Sequence, residues 1–229
     1  YVTPERLEKL KLKWGYSTTK GYFIGFKVTM VLDEESMCPI QLLIHPGALN
    51  DAKLFELVLK ELKRRRLIQF HDIILADRGY YSLKNYIIGI FEYKIVPIIF
   101  PRSCYSKDKI QNELNYPLDV YHKTNKAKLL KTQIKELSKD LLEKLDDWKD
   151  LKPVRGIIED FFKAAKGAFG LDMFHSFTEK SMHKNIYLCL LLTALVVQNG
   201  YKTKTKLQQL AEGIIDERPP KNKNKTKKI

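Results

Sequence analysis

Cysteine is scarce in this 229-residue chain: Cys38, Cys104 and Cys189 are odd in number, scattered, and form no Cys-x-x-Cys pair. A disulfide framework is excluded, and the expected setting is a reducing compartment. Long apolar runs are missing too. The longest, Ile186 to Val197, falls short of the roughly 20 residues that cross a bilayer and reads as a buried core helix. No stretch reads as a secretory leader, so a cytoplasmic protein is expected, without a membrane role. Acid is the minority charge: 27 Asp+Glu against 41 Lys+Arg leave a formal +14. That excess says nothing about fold, but it favours a polyanionic partner through phosphate contacts and counterion release. The plainer reading is a merely Lys-rich composition. Hydrophobic residues make up 44% of the chain, enough for a core, so wholesale disorder is excluded. The length suits one large domain or a domain carrying an insertion.

Turn residues divide the chain. Tyr22 to Leu32 is a β-rich run, Asp33-Glu34-Glu35-Ser36 a turn, and Pro39 to Ile44 a second strand that Pro46-Gly47 ends. The pattern predicts a hairpin. Asn50 and Asp51 are helix-capping residue types, with Leu54, Leu57, Val58 and Leu62 at helical spacing behind them and Lys63 to Arg66 where the helix dipole favours cations. Asp72 to Ala76 predicts a short strand, Ser82 a cap for a helix through Phe91, and Ile95 to Phe100 a buried strand. Such alternation is the pattern of an α/β sheet with covered faces.

Beyond Ser103 the chain turns Lys-rich and loop-like, then carries Leu130, Ile134, Leu137, Leu141, Leu145 and Trp148 as a narrow apolar stripe. The stripe predicts a helix that packs on the sheet or pairs with another helix. Pro153 interrupts before a helix from Val154 to about Gly167, and another spans Ser181 to Gln198. Four regions follow: 1–102 as the first part of a core, 103–150 as a helical insertion, 151–200 as its helical completion, and 201–229 as a basic tail rich in Pro and Lys.

Two features carry chemistry. The first is Leu75-Ala76-Asp77-Arg78-Gly79-Tyr80, where an apolar strand delivers a carboxylate to its C-terminal end. In open α/β sheets that edge is where ligands bind. The plainer reading is an Asp that caps the following turn. The second is Arg155, Glu159 and Lys166. Steps of four and seven residues turn a helix by about +40° and −20°, so the three share one side. The predicted apolar stripe beside them is Ile158, Phe162, Ala165 and Phe169. An ordinary solvated face with ion pairs is the plainer reading here.

Gly21 to Val28, then Pro46 to Asp51, then Asp77-Arg78-Gly79-Tyr80, then Arg155, Glu159 and Lys166 together resemble the insertion-sequence transposases of the DDE class, from about Trp14 to Val197. The resemblance implies an α/β, ribonuclease-H-like fold: a mixed sheet flanked by helices, with a helical insertion before the last catalytic helix. It implies a DNA transposase that cleaves and transfers phosphodiester strands at the ends of a mobile element. Asp77 and Glu159 would be the second and third acidic ligands of two Mg2+ ions, with Mn2+ as a substitute. Arg155 and Lys166 would hold DNA phosphates, and Tyr80 and Lys27 match further motif positions given to DNA. Double-stranded DNA and a second copy of the chain are the implied partners.

The chain departs from the pattern twice. Lys152 stands where the family carries Tyr, and no Asp precedes Tyr22 to serve as the first carboxylate. Glu5 and Glu8 lie in a segment that reads as helix or loop, and a turn and a helix start account for Asp33 and Asp51. With Tyr1 in place of Met, the expectation is that the first strand and its carboxylate lie upstream. The sheet would then fall into two halves, and this chain would bind DNA but cleave it poorly. Two alternatives stand beside this reading: a non-catalytic DNA-binding remnant of a mobile element, and another ribonuclease-H-like nuclease.

Overall fold

The computed structural model describes residues 3–9, 11–17, 21–47, 49–101, 105–120, 125–173 and 178–213. The 214–229 part of the basic tail, including Pro219-Pro220, lies outside them. Within the predicted tail region, Lys204–Ala211 is helical. The chain is mixed α/β: helices with two small sheets. Among the described residues no helix is long and apolar enough to cross a membrane.

The antiparallel sheet has the order β1-β2-β3, with β1 at Lys13–Ser17, β2 at Gly21–Leu32 and β3 at Pro39–Pro46. β1 pairs with β2 from Lys13↔Gly25 to Ser17↔Gly21. Asp33 does the work of a turn residue: its carboxylate accepts from the Ser36 backbone N–H at 2.8 Å and from the Ser36 hydroxyl at 2.5 Å. These two bonds hold its carboxyl below the usual range. The chain forms two compact units.

One unit comprises residues 12–29 and 41–155. Helix α2, Asp51–Arg64, buries Leu54, Phe55, Val58, Leu59 and Leu62. β4, Ile73–Ala76, pairs in parallel with β5, Val96–Ile99. Between them α3, Leu83–Ile87, runs directly into a π-helical turn, Ile88–Tyr93. Gly89 lies so close to Pro97 that an added Cβ would sit 2.6 Å from its ring, so only glycine lets this turn approach β5. Ser82 stands at the N-cap of α3 but makes no side-chain capping bond, which corrects the expectation drawn from its residue type.

The apolar stripe predicted before residue 150 is borne out in α5, Asn125–Asp146. Ile134, Leu137, Leu141 and Leu145 join Tyr86, Ile90, Val96, Ile98, Ile99, Ile110 and Leu114 in one buried cluster. The stripe thus packs on the sheet. Tyr86 donates its buried hydroxyl to the Ile99 carbonyl at 3.0 Å, satisfying a polar group that burial would otherwise penalise. α4, Lys107–Val120, forms where only Lys-rich loops are predicted.

The other unit comprises residues 1–11, 30–40 and 156–229. α1 covers Pro4–Lys9, α6 Lys152–Phe169, α7 Glu179–Gln198 and α8 Lys204–Ala211. On α6 the buried residues are Asp160, Phe161, Ala164 and Ala165. Of the predicted stripe only Ala165 is fully buried; Ile158, Phe162 and Phe169 are half-buried, and Phe161 and Ala164 take the covered positions beside Ala165. The Cys189 thiol reaches the Ala165 carbonyl at 3.5 Å. At Gly167 an added Cβ would fall 1.8 Å from the Ala211 carbonyl oxygen. Thr178 caps α7 by accepting from the Ser181 N–H at 3.1 Å.

Candidate active site

The run Ile73-Ile74-Leu75-Ala76 forms a strand because β5 covers one edge and the α4–α5 core lies against it. Ala76 pairs with Ile99, and the Phe100 N–H donates to the Ala76 carbonyl at 3.0 Å. That fixes the backbone up to the next residue, Asp77. Its backbone is extended (φ −66°, ψ 158°), and its Oδ1 accepts from the Arg78 N–H at 2.6 Å, opening a 3-10 turn over Arg78–Tyr80. Asp77 therefore does cap the turn, as the plainer reading has it.

It also does more. The Arg155 Nε lies 3.3 Å from the same oxygen, and the guanidinium sits 5.9 Å from the centre of the Phe100 ring. The Asp77 side chain is 48% exposed. An anion held at a strand end, open to solvent and drawing a cation, is the donor chemistry that a hard divalent ion takes.

A second carboxylate stands beside this turn. Asn50 caps α2, its Oδ1 accepting from the Ala52 N–H at 3.0 Å, which leaves Asp51 free of capping. Asp51 instead pairs with Lys27, whose Nζ also donates to the Leu49 carbonyl at 3.2 Å. Asp51 lies against Gly79, where an added Cβ would meet its Oδ2 at 2.7 Å.

Tyr80 is packed inward, its ring edge-on to Phe55 at 6.3 Å. Burial pushes its phenol up to about 12, and the charges of Asp51 and Asp77 push the same way. A raised pKa in the folded state means that folding favours the neutral phenol. The stability this contributes is complete below the ordinary value of 10.0 and is lost as pH rises toward about 12. Denaturant unfolding between pH 9 and 12 should therefore show a falling midpoint, and Tyr80→Phe should flatten that fall. A midpoint independent of pH in this window would contradict the burial of the phenol.

The structure thus brings Asp77, Arg155, Tyr80 and Lys27 into one unit. Glu159 and Lys166 are both exposed on α6 and belong to the other. Glu159 follows Arg155 by one helical turn along α6. Among the described residues no three His, Cys, Asp or Glu side chains gather as a metal cluster. Residue-by-residue reading missed the Asp51–Lys27 pair and the amide of Asn85, which donates to two carbonyls here. The only available signal for Asn85 was a short amide among Leu83, Tyr86 and Ile87.

No curated protein and no solved structure matches the chain. A family model described as the transposase DDE domain matches residues 3–195. That span takes in β1 to β5 and most of α7, and it includes Asp77, Arg155, Glu159 and Lys166. The chain belongs to the transposase DDE domain family.

Proposed function

We propose that the chain is the catalytic domain of a DNA transposase that cuts and joins phosphodiester bonds at transposon ends, with Asp77 and Glu159 as carboxylate ligands of a divalent metal pair. Mg2+ suits oxygen donors of this kind. When bound, such a pair activates the attacking oxygen and stabilises the leaving one. In this reading the two sheets are halves of a ribonuclease-H-like sheet, double-stranded DNA is the substrate, and two copies act together.

One observation carries the proposal: Asp77 closes a covered parallel strand with its carboxylate exposed and already attracting a guanidinium. The residues of the chain would hold DNA rather than react with it. Arg155 and Lys166 would contact phosphates. Lys27 and Tyr80, given to DNA by the motif, would act beside them: Lys27 pairs with Asp51, and Tyr80 packs edge-on to Phe55 of α2.

The test is metal binding by the chain itself. Mn2+ titration followed by electron paramagnetic resonance should show weaker binding in both Asp77→Asn and Glu159→Gln. If neither changes the affinity, the two residues are not ligands. One observation favours a second reading, a DNA-binding remnant without catalysis: among the described residues no three-ligand cluster is present. That remnant would hold DNA equally well with either carboxylate replaced and would show no Mn2+ site.

DNA affinity should fall linearly with salt on logarithmic axes. Arg155→Ala and Lys166→Ala should each make the slope shallower by about 1, as loss of one phosphate contact does. Filter binding at 50 to 200 mM salt measures this, and an unchanged slope removes the residue from the interface.

A further inference from the structure

We infer that Asn85, Asp51 and Gly79 form a clamp that sets the direction of the Asp77 carboxylate, so that Asn85 and Asp51 are positioning residues for the metal site. The inference rests on Asp77 being a metal ligand. It begins with the turn that Asp77 opens. A strand fixes where Asp77 starts, but the 3-10 turn Arg78–Tyr80 decides which way its side chain leaves.

Asn85 is only 2% exposed. Its Nδ2 donates to the Tyr80 carbonyl at 2.7 Å and to the Ala52 carbonyl at 3.0 Å. One amide thereby ties the end of the turn to the first turn of α2. α2 is a firm support, since five of its apolar side chains are buried. Asp51, which precedes Ala52 on the same helix, lies against Gly79 in the middle of the turn, where an added Cβ would fall 2.7 Å from its Oδ2. Lys27 holds Asp51 and, through the Leu49 carbonyl, the segment leading into α2.

The turn is therefore fixed at Gly79 and at Tyr80, two and three residues beyond the carboxylate. Groups that orient a ligand without touching the metal change affinity or activity by about 10- to 100-fold when removed. A buried amide spent on two carbonyls of different elements, rather than on its own helix, fits that role.

The experiment uses the full chain and three variants: Asn85→Asp, Gly79→Ala and Asp77→Asn. Asn85→Asp keeps the shape but turns both donated bonds into contacts between oxygens. Gly79→Ala pushes Asp51 away without touching the core. Each should weaken Mn2+ binding about tenfold or more and broaden its paramagnetic resonance spectrum. Metal-free DNA affinity should stay within about twofold, with far-ultraviolet circular dichroism unchanged.

Mn2+ affinity equal to that of the parent in folded Asn85→Asp and Gly79→Ala overturns the clamp. If Asn85→Asp fails to fold, Gly79→Ala decides alone. Should Asp77→Asn also bind Mn2+ like the parent, the ligand reading and the clamp both fall. Weak binding in Asp77→Asn beside parental binding in the other two overturns the clamp only.

Discussion

Asp77→Asn in the native element is expected to lower transposition by about a thousandfold or more, while DNA binding stays within about twofold. The substitution isolates charge. Asn caps a turn as well as Asp does, so the bond from the Arg78 N–H survives. The pair with Arg155 is also lost, but both side chains are more than a third exposed. Such a pair contributes at most about 1 kcal/mol to stability, and often nothing measurable. What the reaction loses is larger. Stabilisation of phosphoryl charge by a metal pair is worth several kcal/mol, and about 4 kcal/mol corresponds to a thousandfold in rate. Transposition frequency in cells, set beside a gel-shift assay of the purified variant, separates the two effects. Parental transposition by the variant would remove Asp77 from the chemistry. A matching collapse of DNA binding would mean that the residue supports the fold instead.

Ile98→Ala should lower stability by about 3 kcal/mol, within the 2–5 kcal/mol typical of emptying a buried aliphatic site. For a unit of this size that is a fall of roughly 10 °C in midpoint. Ile98 is fully buried on β5 within the cluster that α4 and α5 complete. The loss combines transfer of the side chain to water with a cavity that neighbours at close packing cannot refill. Leu57 supplies the control. It lies on α2 but is 47% exposed, so Leu57→Ala should change stability by less than about 0.5 kcal/mol. Calorimetry and denaturant titration of the two variants read the contrast. Equal effects would show that β5 does not sit in the core. Because β5 carries β4 in register, Ile98→Ala should also loosen the strand that ends at Asp77.

What could be read from the residues follows from how local each cause is. β4 was legible because Ile73-Ile74-Leu75-Ala76 is an unbroken apolar run stopped by a charge, and α5 because Ile134, Leu137, Leu141 and Leu145 keep one face. β1 left no such trace. Trp14 and Tyr16 on its outer face are 68% and 59% exposed, and the buried residue between them is Gly15, so no apolar side chain marks the covered face. α4 buries Ile110 and Leu114 amid polar residues, and α8 offers only Leu207 and Leu210. Two apolar residues one turn apart do not distinguish a helix from a loop.

The same division holds in the site. Asp77 announces itself by its place after a strand. The partners of Lys27, Asp51 and Asn85 are chosen by the tertiary fold, from segments far apart in the chain, and no spacing rule reaches them. On α6, Arg155, Glu159 and Lys166 could be placed on one side by rotation alone. Which face is covered could not, because the charged Asp160 is among the buried residues while Ile158 and Phe162 are only half-buried.

The closeness of Gly167 to the last carbonyl of α8 makes one hydrogen atom the whole margin of a joint. Alanine, the smallest of other residues and a better helix former, is barred there despite its favourable propensity. A single methyl would act as a wedge, driving the two backbones apart and exposing Leu207 and Leu210 to proteases. The position therefore tolerates no drift in the gene, however conservative, unless α8 is given up with it.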